Sequence, residues 1–410
     1  MATILAYTSP AIGHLLPMSA LLAELAGRGH TVHLRTLSSG VDTARRLGFV
    51  TEPIDPRIEA VELDDWKGRN PRDALTRGVA VFGRRAGYEV ADLVAAVEES
   101  CPDALLVDVN CWGARSAAEA GGLPWAAFAP YTPPLRAVGT PPFGLGLPPR
   151  TGVVGRIRDA AVRAAFLDPL EKVILVPANR VRAELHLSSV SSVDEFLRRA
   201  PLILLASGRP FQYPATDWGD TVQMIGPCVP ATEPDGTPGW LDAIELPIVL
   251  VTTSSEQQGD AGLVRCAIAA LADEPVHVVA TMPAGLAGVA SSAKATVHRF
   301  VPHGQVLNRA VCVVTHGGMG ATQKALAHGV PVCVVPYGRD QFDVARRVEV
   351  AQCGTRLPAR KLSPPRLRER IRAAMVMTDG ARRVAAGFAE TGGVVRGADL
   401  FERRVLSRSG

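Results

Sequence analysis

The chain has 410 residues, 47% hydrophobic and 20% charged, with a formal net charge of +4 at pH 7. A single core stops growing beyond about 250–300 residues, so two domains are expected. Acidic and basic residues are interleaved, which argues against a nucleic-acid or anionic-membrane partner, and no run reaches the ~18 apolar residues of a membrane span. Seven cysteines (Cys101, Cys111, Cys228, Cys266, Cys312, Cys333 and Cys353) are an odd number without a CxxC pair, the wrong pattern for a disulfide framework or a zinc site. The N-terminus, MATILAYTSP, lacks a basic segment and a long apolar core, so no signal peptide is expected and a cytoplasmic location fits.

Short apolar runs alternate with helix-like segments from end to end, the pattern of parallel sheets covered by helices. Strands are expected at 3–8, 31–37, 49–54, 103–108, 125–130 and 202–207, with helices at 15–28, 73–100 and 112–121. Residues 131–152 are rich in Pro and Gly, too irregular for an element and long enough to shape a substrate site. Amphipathic helices are expected over 153–200. The Pro/Gly stretch 225–240 reads as a linker. A second alternation follows, with strands at 247–252, 276–281, 295–300, 311–315 and 332–336 and a helical tail from about 363 to 408. The expected architecture is α/β: two doubly wound Rossmann-like domains, 1–224 and 241–385, facing across a cleft, with 386–410 as a helical tail that packs back on the first.

The segment His316-Gly-Gly-Met-Gly-Ala-Thr322 lies between the apolar run 311–315 and a helix-like stretch. A strand that ends in a glycine turn and opens a helix presents unpaired backbone N–H groups and a positive dipole end, which suits a phosphate. Gly317, Gly318 and Gly320 allow close approach, and His316 and the Thr322 hydroxyl are candidate donors. Such a turn also occurs for packing alone. In the first domain, His14 falls in the loop after strand one and Asp108 ends strand four, and a doubly wound topology brings both to one crevice. Carboxylate, imidazole and an acceptor hydroxyl in line are what a general base requires. Taken singly, His14 could equally donate at a helix start and Asp108 could cap one.

GHLLP in the first loop, LLVD at strand four, IGP in the linker, RFVPH (299–303), THGGMGATQKAL (315–326) and VPYGRDQFDVARRV (335–348) together resemble the inverting, natural-product nucleotide-sugar glycosyltransferases of the GT-B fold. The likeness covers nearly the whole chain. It implies His14 as the base, with Asp108 as its partner. It implies a diphosphate held by His316, Gly317, Gly318, Gly320 and Thr322, with Ser255 nearby, sugar hydroxyls held by Asp340 and Gln341, and a nucleobase against Phe300 and the Val301 backbone. Pro10, Ile12, Gly13, Trp112 and Phe143 are the expected acceptor-side residues. The expected substrates are a UDP- or TDP-linked sugar and a small, apolar acceptor, with the protein a monomer or homodimer.

Four positions depart from the family pattern. Lys324 stands where an acidic residue usually accepts from the ribose diol, Ala321 replaces a hydroxyl residue, Ser254 replaces a glycine, and His303 stands for a usual Gln. No Asp-x-Asp, HExxH or cysteine cluster suggests a metal, so no metal or other cofactor is expected. Three other readings compete: a non-catalytic or weakly active homologue acting as a partner protein, a nucleotide-sugar 2-epimerase, and a nicotinamide oxidoreductase. The last would need its glycine loop after the first strand of a domain rather than late in it.

Overall fold

Strands in the middle of a parallel sheet covered on both faces run apolar along most of their length, as Ala104–Asp108, Trp125–Ala129 and Ile248–Thr252 do here, each buried at every position. The computed structural model describes residues 1–229, 239–286 and 288–408. In the N-terminal domain β1 (Thr3–Tyr7), β2 (Thr31–Thr36), β3 (Val50–Pro53), β4 (Ala104–Asp108), β5 (Trp125–Ala129), β6 (Ile203–Leu205) and β7 (Val222–Met224) form one parallel sheet ordered β3-β2-β1-β4-β5-β6-β7. Successive side chains feed opposite faces. Ile4, Ala6, Ala104 and Leu106 enter one core with Leu21, Leu22 and Leu25, while Leu5, Tyr7, Leu105 and Val107 enter the other with Leu93 and Ala114.

The second sheet is built the same way. β8 (Ile248–Thr252), β9 (His277–Thr281), β10 (Ala295–His298), β11 (Ala310–Thr315), β12 (Val332–Val334) and β13 (Gly354–Arg356) are parallel and ordered β10-β9-β8-β11-β12-β13. Ile248 and Leu250 point into one core, Val249 and Val251 into the other. In both sheets the order reverses beside the first strand, between β1 and β4 and between β8 and β11, so the loops that follow these four strands open into crevices at the sheet ends.

Helix ends carry local signals. Asn70 caps the Pro71–Ser100 helix by accepting from the Asp73 N–H at 3.0 Å. Gly392, at φ +93°, ends the Thr378–Thr391 helix and turns the chain into Gly393–Arg404. That last helix lies on the Ile12–Gly27 helix, burying Leu400, Phe401 and Val405 beside Leu21 and Leu25. Arg28 adds ion pairs to Asp399 at 2.7 Å and Glu402 at 2.8 Å.

The expected boundary at 385/386 falls inside the Thr378–Thr391 helix, whose Val384 and Phe388 pack in one core with Leu250 and Val313. Several expectations are corrected. β7 and β13, three residues each, were not expected. The 153–200 helices are broken by a π-turn at Arg163–Leu167 and followed by a non-helical stretch before Val193–Arg198. Most of the expected linker lies at 230–238, outside the described residues. All seven cysteines are free.

Candidate functional site

On the N-terminal side, His14 is not in a loop but in the first turn of the Ile12–Gly27 helix, where its N–H bonds the Ala11 carbonyl at 3.0 Å. Asp108, wholly buried at the end of β4, lies 2.7 Å from His14 Nδ1 through Oδ2. A carboxylate only accepts, so Nδ1 carries the proton and Nε2 is left with a lone pair. Asp108 is held in turn by the Asn110 N–H at 2.8 Å and the Ser9 hydroxyl at 3.3 Å. Burial opposes charge on His14, but the Asp108 carboxylate and its hydrogen bond, with smaller help from Asp340 and Glu256 of the other domain, raise the imidazole above its ordinary value. Tyr131, whose ring centre is 5.8 Å from that of His14, donates to Asn110 Oδ1 at 2.8 Å. Ser9 and Tyr131 are not legible in the sequence because only folding brings them around Asp108, whereas Asn110, two residues on, carries a local signal in the turn after β4.

The expected acceptor residues divide. Pro10 and Ile12 are half-buried and Gly13 is exposed beside His14, with open space where a side chain would be. Pro17, inside the same helix, removes the donor that would otherwise reach the Gly13 carbonyl. Trp112 stacks on Phe82 at 5.3 Å and meets Phe196 edge-on at 6.1 Å, so much of its ring serves a small satellite core. Phe143 lies in the seam between domains, lining a narrow crevice with Pro133, Tyr213, Asp343 and Arg347. Its loop is pinned there: the Gly144 and Gly146 N–H groups donate to Asp343 at 2.7 and 2.9 Å.

Across the seam, Gly318 begins the Met319–Ala327 helix without a side-chain cap, leaving the first-turn N–H groups without intrahelical partners. Gly317 has φ +96°, and a Cβ there would stand 2.8 Å from Val334 Cγ1. A Cβ on Gly320 would meet nothing within 4 Å, so this face of the helix end is open. His316 is 7% exposed, and burial pushes its imidazole down to about 4. Thr322 departs from expectation: it is fully buried and its hydroxyl donates to the Gly318 carbonyl at 2.9 Å, so it fixes the helix start instead of facing an anion. Ser255 is exposed on the loop after β8, whereas the Ser254 hydroxyl accepts from the Glu256 N–H at 3.0 Å.

Asp340 opens the Gln341–Val350 helix, and burial pushes its carboxyl up to about 6. Gln341 is tied down: its Oε1 accepts from the Tyr337 and Gly338 N–H groups at 2.8 and 3.1 Å, and its amide donates to Gln258. Phe300 is 71% exposed, while the Val301 side chain belongs to the domain core, leaving only its backbone for recognition. Lys324 lies half-buried within the same helix as Thr322. His303 Nε2 is 3.1 Å from the Thr281 hydroxyl. Among the described residues, no group of three or more His, Cys, Asp or Glu is placed to hold a metal ion, and no helix is long and apolar enough to cross a membrane.

Two doubly wound domains, one carrying an imidazole–carboxylate pair and the other an uncapped helix behind a glycine turn, define a GT-B glycosyltransferase fold. Solved structures agree. The glycosyltransferase of kitacinnamycin superposes with a TM-score of 0.77 at 24% identity, covering 98% of this chain and 99% of that one. The glycosyltransferase VinC in complex with DTDP superposes at 0.70 with 20% identity, covering all of both chains. Residues 265–391 match the family model of the erythromycin biosynthesis protein CIII-like C-terminal domain. The chain is 32% identical to 4'-demethylrebeccamycin synthase of Lentzea aerocolonigenes, over 98% of this chain and 99% of that protein. It is 27% identical to demethyllactenocin mycarosyltransferase of Streptomyces fradiae, over 97% and 86%. The chain therefore belongs to the nucleotide-sugar-dependent glycosyltransferases of antibiotic biosynthesis.

Proposed function

We propose that this enzyme moves a sugar from a nucleoside diphosphate to a hydroxyl or other nucleophile of a small, largely apolar acceptor, with inversion and without a metal. The reading rests above all on the 2.7 Å contact between His14 Nδ1 and Asp108, which leaves Nε2 as a base. The acceptor loses its proton to Nε2 and attacks the anomeric carbon from the face opposite the nucleotide. The new glycosidic bond forms as the bond to the diphosphate breaks, and the diphosphate leaves with the electron pair. Asp108 then stabilises the imidazolium.

The diphosphate side is supported by the uncapped Met319–Ala327 helix and the open face at Gly320, which offer N–H donors and a positive end to growing negative charge. Asp340 and Gln341 would meet sugar hydroxyls, with Gln341 exchanging its bond to Gln258 for a bond to the sugar. A thymidine or uridine diphosphate is favoured; VinC, of the same fold, is known with DTDP. The Pro133, Leu135, Pro141 and Phe143 side chains that line the crevice on the acceptor side favour an apolar aglycone over a polysaccharide.

Thermal unfolding with TDP, UDP and their sugars tests the donor, since a ligand that binds only the folded state raises the midpoint. The matching sugar nucleotide, incubated with candidate aglycones and excess chelator, should then yield a glycoside of inverted anomeric configuration. A retained configuration, or transfer abolished by chelator, contradicts the mechanism.

A further inference from the structure

Behind the glycine turn stands a second carboxylate beside a second imidazole. Asp260, the residue before the Ala261–Leu271 helix, is 4% exposed, and its Oδ2 accepts from the Ser254 N–H at 2.7 Å. The same oxygen lies 3.9 Å from His316 Nδ1. That nitrogen is buried and has no hydrogen-bond partner. The opposite ring nitrogen, Nε2, crowds Gly318 at the start of the Met319–Ala327 helix, where a Cβ would stand 2.5 Å from it. One edge of the ring thus faces the anion end of the helix, and the other faces an acid 56 residues away in sequence. Family resemblance assigns no role to Asp260.

We infer that Asp260 is a positioning residue for His316: it accepts a hydrogen bond from Nδ1–H while Nε2–H donates to the diphosphate, the ring being doubly protonated once the anion is bound. The inference rests on the proposed donor site. Its chemistry follows from the donor count, because a neutral imidazole offers one N–H and these two neighbours both require one. In the unliganded protein burial holds the ring neutral, against an interaction with the Thr252 backbone that favours charge, and Arg339, the cation that acts on both His316 and Asp260, disfavours a further positive charge. A diphosphate reverses that balance, and one proton is taken up as it binds. On departure of the leaving group the same N–H faces the oxygen on which charge accumulates. Burial raises Asp260 above the ordinary carboxyl value, while the Ser254 N–H and the Arg339 cation favour its charged form.

Asp260→Asn keeps an acceptor for the Ser254 N–H and removes only the charge. The test is 15N NMR of the His316 ring, together with TDP and UDP affinity between pH 6 and 8, on wild type and Asp260→Asn, with midpoint temperatures confirming that both fold. Wild type should show a doubly protonated ring only with the nucleotide. The variant should keep a neutral ring and bind about tenfold or more weakly, the loss expected for a charged hydrogen bond, with unchanged affinity for the unphosphorylated nucleoside. A doubly protonated ring in the variant, or equal affinity, overturns the role of Asp260 and leaves the donor site standing. Failure of wild type to bind either diphosphate removes the donor site and this inference together.

Discussion

Arg339 and Asp65 join the two domains by a two-pronged ion pair, Nε to Oδ2 at 2.8 Å and Nη2 to Oδ1 at 2.6 Å. Asp65 comes from a single 3-10 turn of the N-terminal domain, and Arg339, at φ +55°, immediately precedes Asp340. The pair therefore holds an unfavourable backbone conformation next to a residue expected to hold sugar. Asp65→Asn should cost about 1–3 kcal/mol, because a largely buried guanidinium loses its charge partner. Denaturant unfolding reads that loss. Steady-state kinetics should show a raised KM for the sugar nucleotide and an unchanged KM for the acceptor.

Activity should rise with pH through the titration of His14. The neutral ring is the base, and its value lies above the ordinary one, so the acid limb of kcat/KM should fall above about 6.5. Asp108→Asn removes the charge that does most to offset burial. It should shift that limb to lower pH and reduce kcat by about 10²–10⁴-fold. An acid limb that does not move in the variant assigns the titration to another group.

Glu89, 1% exposed and accepting the Gly113 N–H at 2.8 Å, is pushed up to about 8 chiefly by burial, with Asp108 adding to the effect. A carboxyl raised on folding stabilises while protonated, so its contribution is complete below about 4.5 and is lost as pH rises to about 8. The loss should be on the order of a few kcal/mol. Glu89→Gln keeps an acceptor for Gly113. It should flatten the fall in unfolding free energy over that window and be more stable than wild type at pH 8.

Two glycines of the anion turn should respond in opposite ways. Gly317→Ala forces a side chain into a left-handed conformation and against Val334, so it should destabilise the fold by more than about 1 kcal/mol. Gly320→Ala meets open space inside a helix and should hold or raise stability by up to about 1 kcal/mol. The added methyl would nonetheless stand in the proposed anion site, so TDP affinity should fall. Thermal unfolding with and without TDP separates the two effects.

What could be read from sequence followed from burial. β4 is apolar because both of its faces are covered, and an apolar run that ends in an acid marks Asp108 at the end of the sheet. β13 carries Gly354 and Arg356 in three residues at a sheet edge, a pattern that resembles a loop. Residue 386, the expected start of the tail, lies within the Thr378–Thr391 helix, because the helix runs on unbroken to the Gly392–Gly393 pair, where a positive φ at both glycines marks the turn. Asp260, Gln258 and Asp65 were invisible for another reason. Each acts through a partner 56, 83 or 274 positions away, and no local spacing encodes such a pair.

The most direct test of the central claim is His14→Ala, measured for transfer to a confirmed acceptor and, in parallel, for TDP or UDP affinity by calorimetry. The base assignment predicts turnover reduced by at least about 10²-fold with nucleotide affinity unchanged. Turnover equal to wild type would contradict it.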